Sequence, residues 1–184
     1  MNEYTQEIWK KDSETNDLFY FIESYNACVG IDLQLIEQSE RPDFICKNHQ
    51  GEKVGIELSK VTRDPRDKQW DRIVRKKEFL DSEEAISMIL DQVFRKNKKL
   101  YENDWNLPEE TILILQLYDT PLSELHPLLF KDHFIDLFDT KFMEIWLGDY
   151  TQIEPFDCVD LFCLMPEEMF GTYTNFNQSK KPFG

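Results

Sequence analysis

The chain has 184 residues, 41% of them hydrophobic and 14% aromatic, with a net charge of −15. That is enough apolar material for a real core and too little length for two comfortable domains, so a disordered chain is excluded and a single domain spanning 1–184 is expected. No apolar run approaches the roughly 18 to 20 residues of a membrane span, and the acid excess argues against a general nucleic-acid coat protein.

The opening Met1-Asn2-Glu3-Tyr4-Thr5 is polar and acidic with no secretory core, so a cytoplasmic protein with no membrane partner is expected. Residues 14 to 26 read as a helix, because Leu18, Phe21, Ile22 and Tyr25 recur at i, i+3, i+4 and i+7. Asn16 or Asp17 is its candidate cap and Gly30 its exit. Ile31 to Ile36 alternates apolar and polar, a strand pattern. Arg41 to Cys46 is a short apolar run behind Pro42, a residue suited to the first position of a strand. Asn48 to Glu52, with Gly51, reads as a turn, and Val54 to Val61 as the returning strand.

After an Asp64-Pro65-Arg66-Asp67 turn, residues 68 to 80 are expected to form a helix or helical lid. Ser82-Glu83-Glu84 opens a clearer helix with an N-cap and acids in its first turn. Its apolar stripe is Ile86, Ile89, Leu90, Val93, Leu100 and Tyr101, and Trp105 to Pro108 ends it. Thr111 to Tyr118 is nearly all apolar, which predicts a strand buried on both faces. Leu122 to Phe138 reads as helix interrupted near Pro127; Lys141 to Leu147 and Cys158 to Leu164 read as strands, and the last twenty residues as irregular. The fold class is therefore α/β, a central mixed β-sheet flanked by helices on both faces. Its core lies at about 14–118 and a C-terminal extension of the sheet at about 119–184.

Two acids of the hairpin carry the candidate chemistry. Asp43 opens one strand and Glu57 sits in the middle of the next. Carboxylates on adjacent strands repel each other at one spot unless a divalent cation joins them, and Mg²⁺ needs only one or two protein carboxylates. The bland alternatives are an acid capping a turn beside Pro42 and a strand glutamate facing solvent.

Pro42-Asp43, thirteen intervening residues, then Glu57-Leu58-Ser59-Lys60 resembles the PD…(D/E)xK signature of the restriction-endonuclease-like nuclease superfamily. Arg41-Pro42-Asp43-Phe44-Ile45 and Gly55-Ile56-Glu57-Leu58-Ser59 are also similar to small bacterial members whose third-strand motif reads Ile-Glu-Val-Thr. The superfamily core of helix, three strands, helix and strand corresponds to residues 14 to 118. The resemblance implies a hydrolase, a nuclease using Mg²⁺ or Mn²⁺, with Asp43 and Glu57 as metal ligands. It also implies a supporting acid on the first helix, for which Glu23 is the natural candidate.

The chain departs from the signature at its lysine. Position i+2 after the acid shares its strand face, and that position is Ser59; Lys60 stands at i+3 and points to the other face unless a bulge turns it. Lys96 is a second candidate. It lies three residues after Val93 and four before Leu100, on the sheet-facing side of its helix. There it must snorkel outward or find an anion, and the resemblance includes members in which this lysine has moved to the helix. Gln116, polar within a buried run, is either a satisfied core amide or a group lining the site.

Basic residues concentrate on either side of these lysines. Lys60 to Lys77 holds eight basic residues against three acids, and Arg95 to Lys99 four against none. Each run is either a solvated face or a track for a phosphate backbone. Arg63, Arg66, Arg72, Lys98 and Lys99 are the candidate contacts to DNA or RNA, with Trp70 a candidate stacking platform or lid residue.

The competing reading is a catalytically inactive interaction protein on the same fold, an immunity- or antitoxin-like acidic binder of a basic protein. It predicts an exposed acidic and aromatic face at Glu144-Ile145-Trp146 and Asp149-Tyr150. A homodimer is compatible with either reading. No GxGxxG, Walker A, GxSxG or HExxH motif occurs. His49, His126 and His133 are scattered and read as a turn residue and surface or interface positions. Cys28, Cys46, Cys158 and Cys163 form no CxxC pair and read as free thiols of a reducing compartment, with a zinc site the weaker alternative.

Overall fold

Helix α1 (Glu3–Val29) starts well before the apolar stripe that announces it. The computed structural model describes residues 3–63, 81–102, 108, 110–130, 139–151 and 158–174, and the side chains of α1 from residue 12 onward. Leu18, Phe21, Ile22 and Tyr25 are all buried, as their spacing requires. Asp17 does not cap the helix. It lies inside it, on the buried face, one turn before Phe21. The helix ends where Gly30 takes φ 75° and donates its N–H to the Asn26 carbonyl at 3.0 Å, a left-handed exit that glycine permits.

The first strand begins later than its alternation suggests. Asn26 Oδ1 accepts the Leu33 N–H at 2.9 Å, which ties residues up to Leu33 to the helix end and leaves β1 (Gln34–Gln38) to pair. Strands β2 (Phe44–Lys47) and β3 (Lys53–Val61) form the expected hairpin. Asn48 shapes its turn by accepting the Gln50 and Glu52 N–H groups on one side-chain oxygen, at 3.0 and 2.9 Å, while Gly51 takes φ 83°.

Helix α2 (Ser82–Glu102) crosses over to β4 (Glu110–Leu117), which pairs parallel to β3. Helix α3 (Leu122–Leu129) precedes β5 (Glu144–Asp149), parallel to β4, and β6 (Asp160–Met165) closes the sheet antiparallel to β5. A short 3₁₀ turn, Glu167–Met169, follows. The sheet is mixed and six-stranded, in the order β1-β2-β3-β4-β5-β6. The residues 68–80 expected as a lid helix, Trp105 and the segment 131–138 lie outside the described residues.

Alternation along the central strands sends residues to two cores. On one face, Leu18, Phe21 and Tyr25 of α1 meet Ile56, Leu58, Ile114 and Trp146. On the other, Ile86, Ile89 and Val93 of α2 and Leu125 of α3 meet Val61, Leu113, Leu115 and Leu147. Each large apolar side chain so buried contributes roughly 1.5 to 3 kcal/mol over an exposed one. Strand β4 is apolar on both faces because helices cover both.

Three local details differ from the sequence reading. Asp81, not Ser82, caps α2: its Oδ1 accepts the Glu83 N–H at 3.0 Å. Asp81→Ala should therefore cost about 1 kcal/mol, read as a lower denaturation midpoint, with Ser82→Ala much milder. Tyr101 is half-exposed, with Lys141 Nζ 4.6 Å above its ring, because Leu100 takes the last inward position of α2. Helix α3 carries Pro127 inside it and ends two residues later, at Leu129, rather than at the proline itself. Pro121 offers that helix no side-chain cap, and Asp149 from β5 supplies one by accepting the Leu122 N–H at 2.8 Å.

The four cysteines are free. Burial pushes the Cys46 and Cys163 thiols up to about 12, so neither is a ready nucleophile. Among the described residues no helix is long and apolar enough to cross a membrane.

Candidate metal and phosphate site

The hairpin register builds the centre of the site. Phe44 pairs with Ile56, so the preceding Asp43 lies beside Glu57 across the two strands. Side chains alternate along β3, which puts Glu57, Ser59 and Val61 on the α2 face and Ile56, Leu58 and Lys60 on the α1 face. The two acids clasp each other's backbone. Asp43 N–H donates to Glu57 Oε2 at 3.3 Å, and Leu58 N–H donates to Asp43 Oδ2 at 2.8 Å.

The other oxygen of Glu57 turns toward α2 and pairs with Lys96. Lys96 sits one turn beyond the buried Val93, so its stem runs toward the sheet, and its Nζ also donates to the Leu58 carbonyl at 3.2 Å. The Glu57 and Lys96 side chains are only 4% and 12% exposed. Desolvating two charges costs several kcal/mol per ion unless each finds a partner, and here each does. Gln92 Nε2 donates to the Lys60 carbonyl at 2.9 Å and holds α2 against the end of β3. Glu57 of β3 thus joins Asp43, the residue before β2, on one side and Lys96 of α2 on the other. Ser59 lies two residues beyond Glu57 on the same face, buried, its hydroxyl without a hydrogen-bond partner among the described residues.

Other residues expected at the site lie elsewhere. The pairing of β3 with β2 and β4 runs without a bulge, so Lys60 stays on the α1 face, its Nζ 5.6 Å from the Tyr118 ring centre. Gln116 also faces α1 and does not line the site. Its Nε2 donates to Asp17 Oδ2 at 3.1 Å, beside the Tyr118 hydroxyl, which donates to the same oxygen at 2.7 Å. Glu23 is exposed on α1, and α1 packs on the face opposite Glu57, so Glu23 does not support the pair. The buried acid of α1 is Asp17, and it too lies on the face opposite Glu57. The signal was present, since Asp17 lies one turn before Phe21 on the apolar stripe.

Of the candidate phosphate contacts, Arg63 is exposed, its guanidinium paired with Glu84 at 3.1 Å. Lys98 and Lys99 are exposed on α2, Lys98 beside Glu102 at 3.5 Å. Arg66, Arg72 and Trp70 lie outside the described residues. His49 is exposed in the hairpin turn; His126 packs among the Phe130, Phe162 and Tyr173 rings, and His133 lies outside the described residues.

The acidic and aromatic face expected at 144–150 does not form. Ile145 and Trp146 are fully buried, and Asp149 and Tyr150 are buried too, because β5 is an inner strand between β4 and β6. Glu144 accepts the Trp146 indole N–H at 2.6 Å and the Tyr25 hydroxyl at 3.1 Å. Burial pushes its carboxyl up against those bonds.

The donor chemistry fits a hard divalent cation. Two neighbouring carboxylates and the Leu58 carbonyl are all oxygen donors, and that group already holds a cationic ammonium. Among the described residues no three His, Cys, Asp or Glu side chains gather at one point. A pair of carboxylates suits Mg²⁺ or Mn²⁺, which keep water or phosphate oxygens in their remaining positions, better than an all-protein cage. Compared with protein-family models, curated proteins and solved structures, the chain matches none.

Proposed function

We propose that this chain is a PD-(D/E)XK-like, metal-dependent phosphodiesterase acting on nucleic acid. The observation that carries the reading is the convergence of Asp43, Glu57 and Lys96 from two adjacent strands and one helix. The order of helix, three strands, helix and strand through residue 117 supports the same reading.

In this reading Asp43 and Glu57 hold Mg²⁺ or Mn²⁺. When bound, the cation activates a water and stabilises the leaving oxygen. Lys96 takes the role of the signature's lysine from the helix, with Ser59 small at the strand position that lysine would otherwise fill. Its ammonium, paired with the Glu57 carboxylate, is placed to neutralise charge that builds on a phosphate. Lys98 and Lys99, exposed on the same helix, add positive charge beside it in a chain of net −15 and steer a phosphate backbone to this edge.

The test is Mn²⁺ binding by calorimetry for the wild type, Asp43→Asn and Glu57→Gln, changes that remove charge and keep shape. The wild type should bind. Each variant should weaken by more than the roughly 10- to 100-fold typical of a mere supporting group. Cleavage of single- and double-stranded DNA and RNA should fall in parallel. Absence of Mn²⁺ binding by the wild type, even with an oligonucleotide present, removes the catalytic reading.

A further inference from the structure

The Lys96 ammonium lies among the oxygens that a metal ion would use. It contacts Glu57 Oε1 and the Leu58 carbonyl together. The other oxygen of Glu57 accepts the Asp43 N–H, and Asp43 Oδ2 accepts the Leu58 N–H. Those backbone bonds orient both carboxylates, so the oxygen that Glu57 turns toward α2 is the one Lys96 holds. We propose that Lys96 is a resident cation of this site, and that a divalent ion and the Lys96–Glu57 pair exclude each other. This rests on the metal-binding reading above and adds a regulation to it: loading the metal expels the ammonium.

The exclusion follows from charge and space. An ammonium and a divalent ion at contact distance on one carboxylate oxygen repel each other strongly in a buried place, which favours one occupant at a time. The metal-free protein therefore keeps Glu57 neutralised and its strand in register, with no buried charge left alone. Metal loading frees the ammonium on its flexible stem, beside Glu57, where a phosphate is the natural anion to receive it. The apparent affinity for the metal is reduced by the fraction of molecules in which the pair is open. A pair closed nine times in ten weakens binding about tenfold by that relation.

The experiment is Mn²⁺ calorimetry on the full chain, comparing the wild type, Lys96→Met and Lys53→Met. Lys53→Met removes one positive charge from the exposed start of β3 without touching Glu57. The expected result is about tenfold tighter binding for Lys96→Met, with Lys53→Met close to wild type. Equal affinities in all three overturn the exclusion and leave the metal site standing. Weaker binding by Lys96→Met also overturns it, since the lysine would then assist the metal. Absence of binding in all three removes the metal reading itself, and the exclusion with it.

A second measurement holds even if Lys96→Met fails to fold. The ¹⁵Nζ resonance of Lys96 in the wild type is followed through a Mg²⁺ titration. It should shift and lose its protection from solvent exchange as the metal binds. An unchanged resonance at saturating Mg²⁺ overturns the proposal.

Discussion

Glu57→Ala should lower folding stability by about 3 to 5 kcal/mol, measured by urea denaturation, because it leaves the Lys96 ammonium buried without its carboxylate. The Asp43 N–H loses its acceptor at the same time. Lys96→Ala should be costly for the mirror reason, a buried carboxylate left alone. The double variant Glu57→Ala/Lys96→Ala should recover most of the loss, since removing both charges leaves none uncompensated. A cost below about 1 kcal/mol for Glu57→Ala would mean the pair is open in solution, as for surface ion pairs of that worth. Glu57→Gln keeps one acceptor oxygen for the Asp43 N–H but sets an uncharged amide against the Lys96 ammonium, so it should be destabilising too, by less than alanine. Salt sharpens the distinction further. A pair this buried is screened little, so the penalty of Glu57→Ala should persist at high ionic strength.

Much of the arrangement around Glu57 was legible in the amino-acid sequence. The order of helices and strands followed from periodicity, because 3.6-residue stripes and apolar runs of strand length declare their own kind. The offset of Lys60 from the face of Glu57 followed from strand alternation, and the inward turn of Lys96 from its place between Val93 and Leu100. What could not be read was which helix covers which face of the sheet. Glu23 and Gln116 were plausible site residues until α1 and α2 lay on opposite faces. The same gap hid the fate of 144–150: acidic and aromatic residues look like a surface in sequence, and only the position of β5 between two strands buries them. The N-cap at Asp81 was missed for a local reason, since Ser82 is as good a capping residue and only backbone geometry chooses between them.

Asp17→Ala should cost about 2 to 4 kcal/mol and leave Mn²⁺ binding unchanged. The side-chain oxygen of Asp17 accepts both the Tyr118 hydroxyl and the Gln116 amide, and all three residues are at or near full burial. Truncation strands two buried donors, each costing about 1 to 3 kcal/mol when unsatisfied. The Tyr150 hydroxyl keeps its bond, because it donates to the Asp17 backbone carbonyl, which alanine retains. Tyr118→Phe removes a donor instead of an acceptor, so it should cost less than Asp17→Ala. The network lies on the α1 face, with the sheet between it and the Asp43–Glu57–Lys96 group. A stability loss as large as that of Glu57→Ala with metal affinity intact would therefore separate what holds the fold from what holds a cation. Should Asp17→Ala weaken Mn²⁺ binding as much as Asp43→Asn does, the acid of the first helix acts through the sheet on the site, and the two faces form one functional unit.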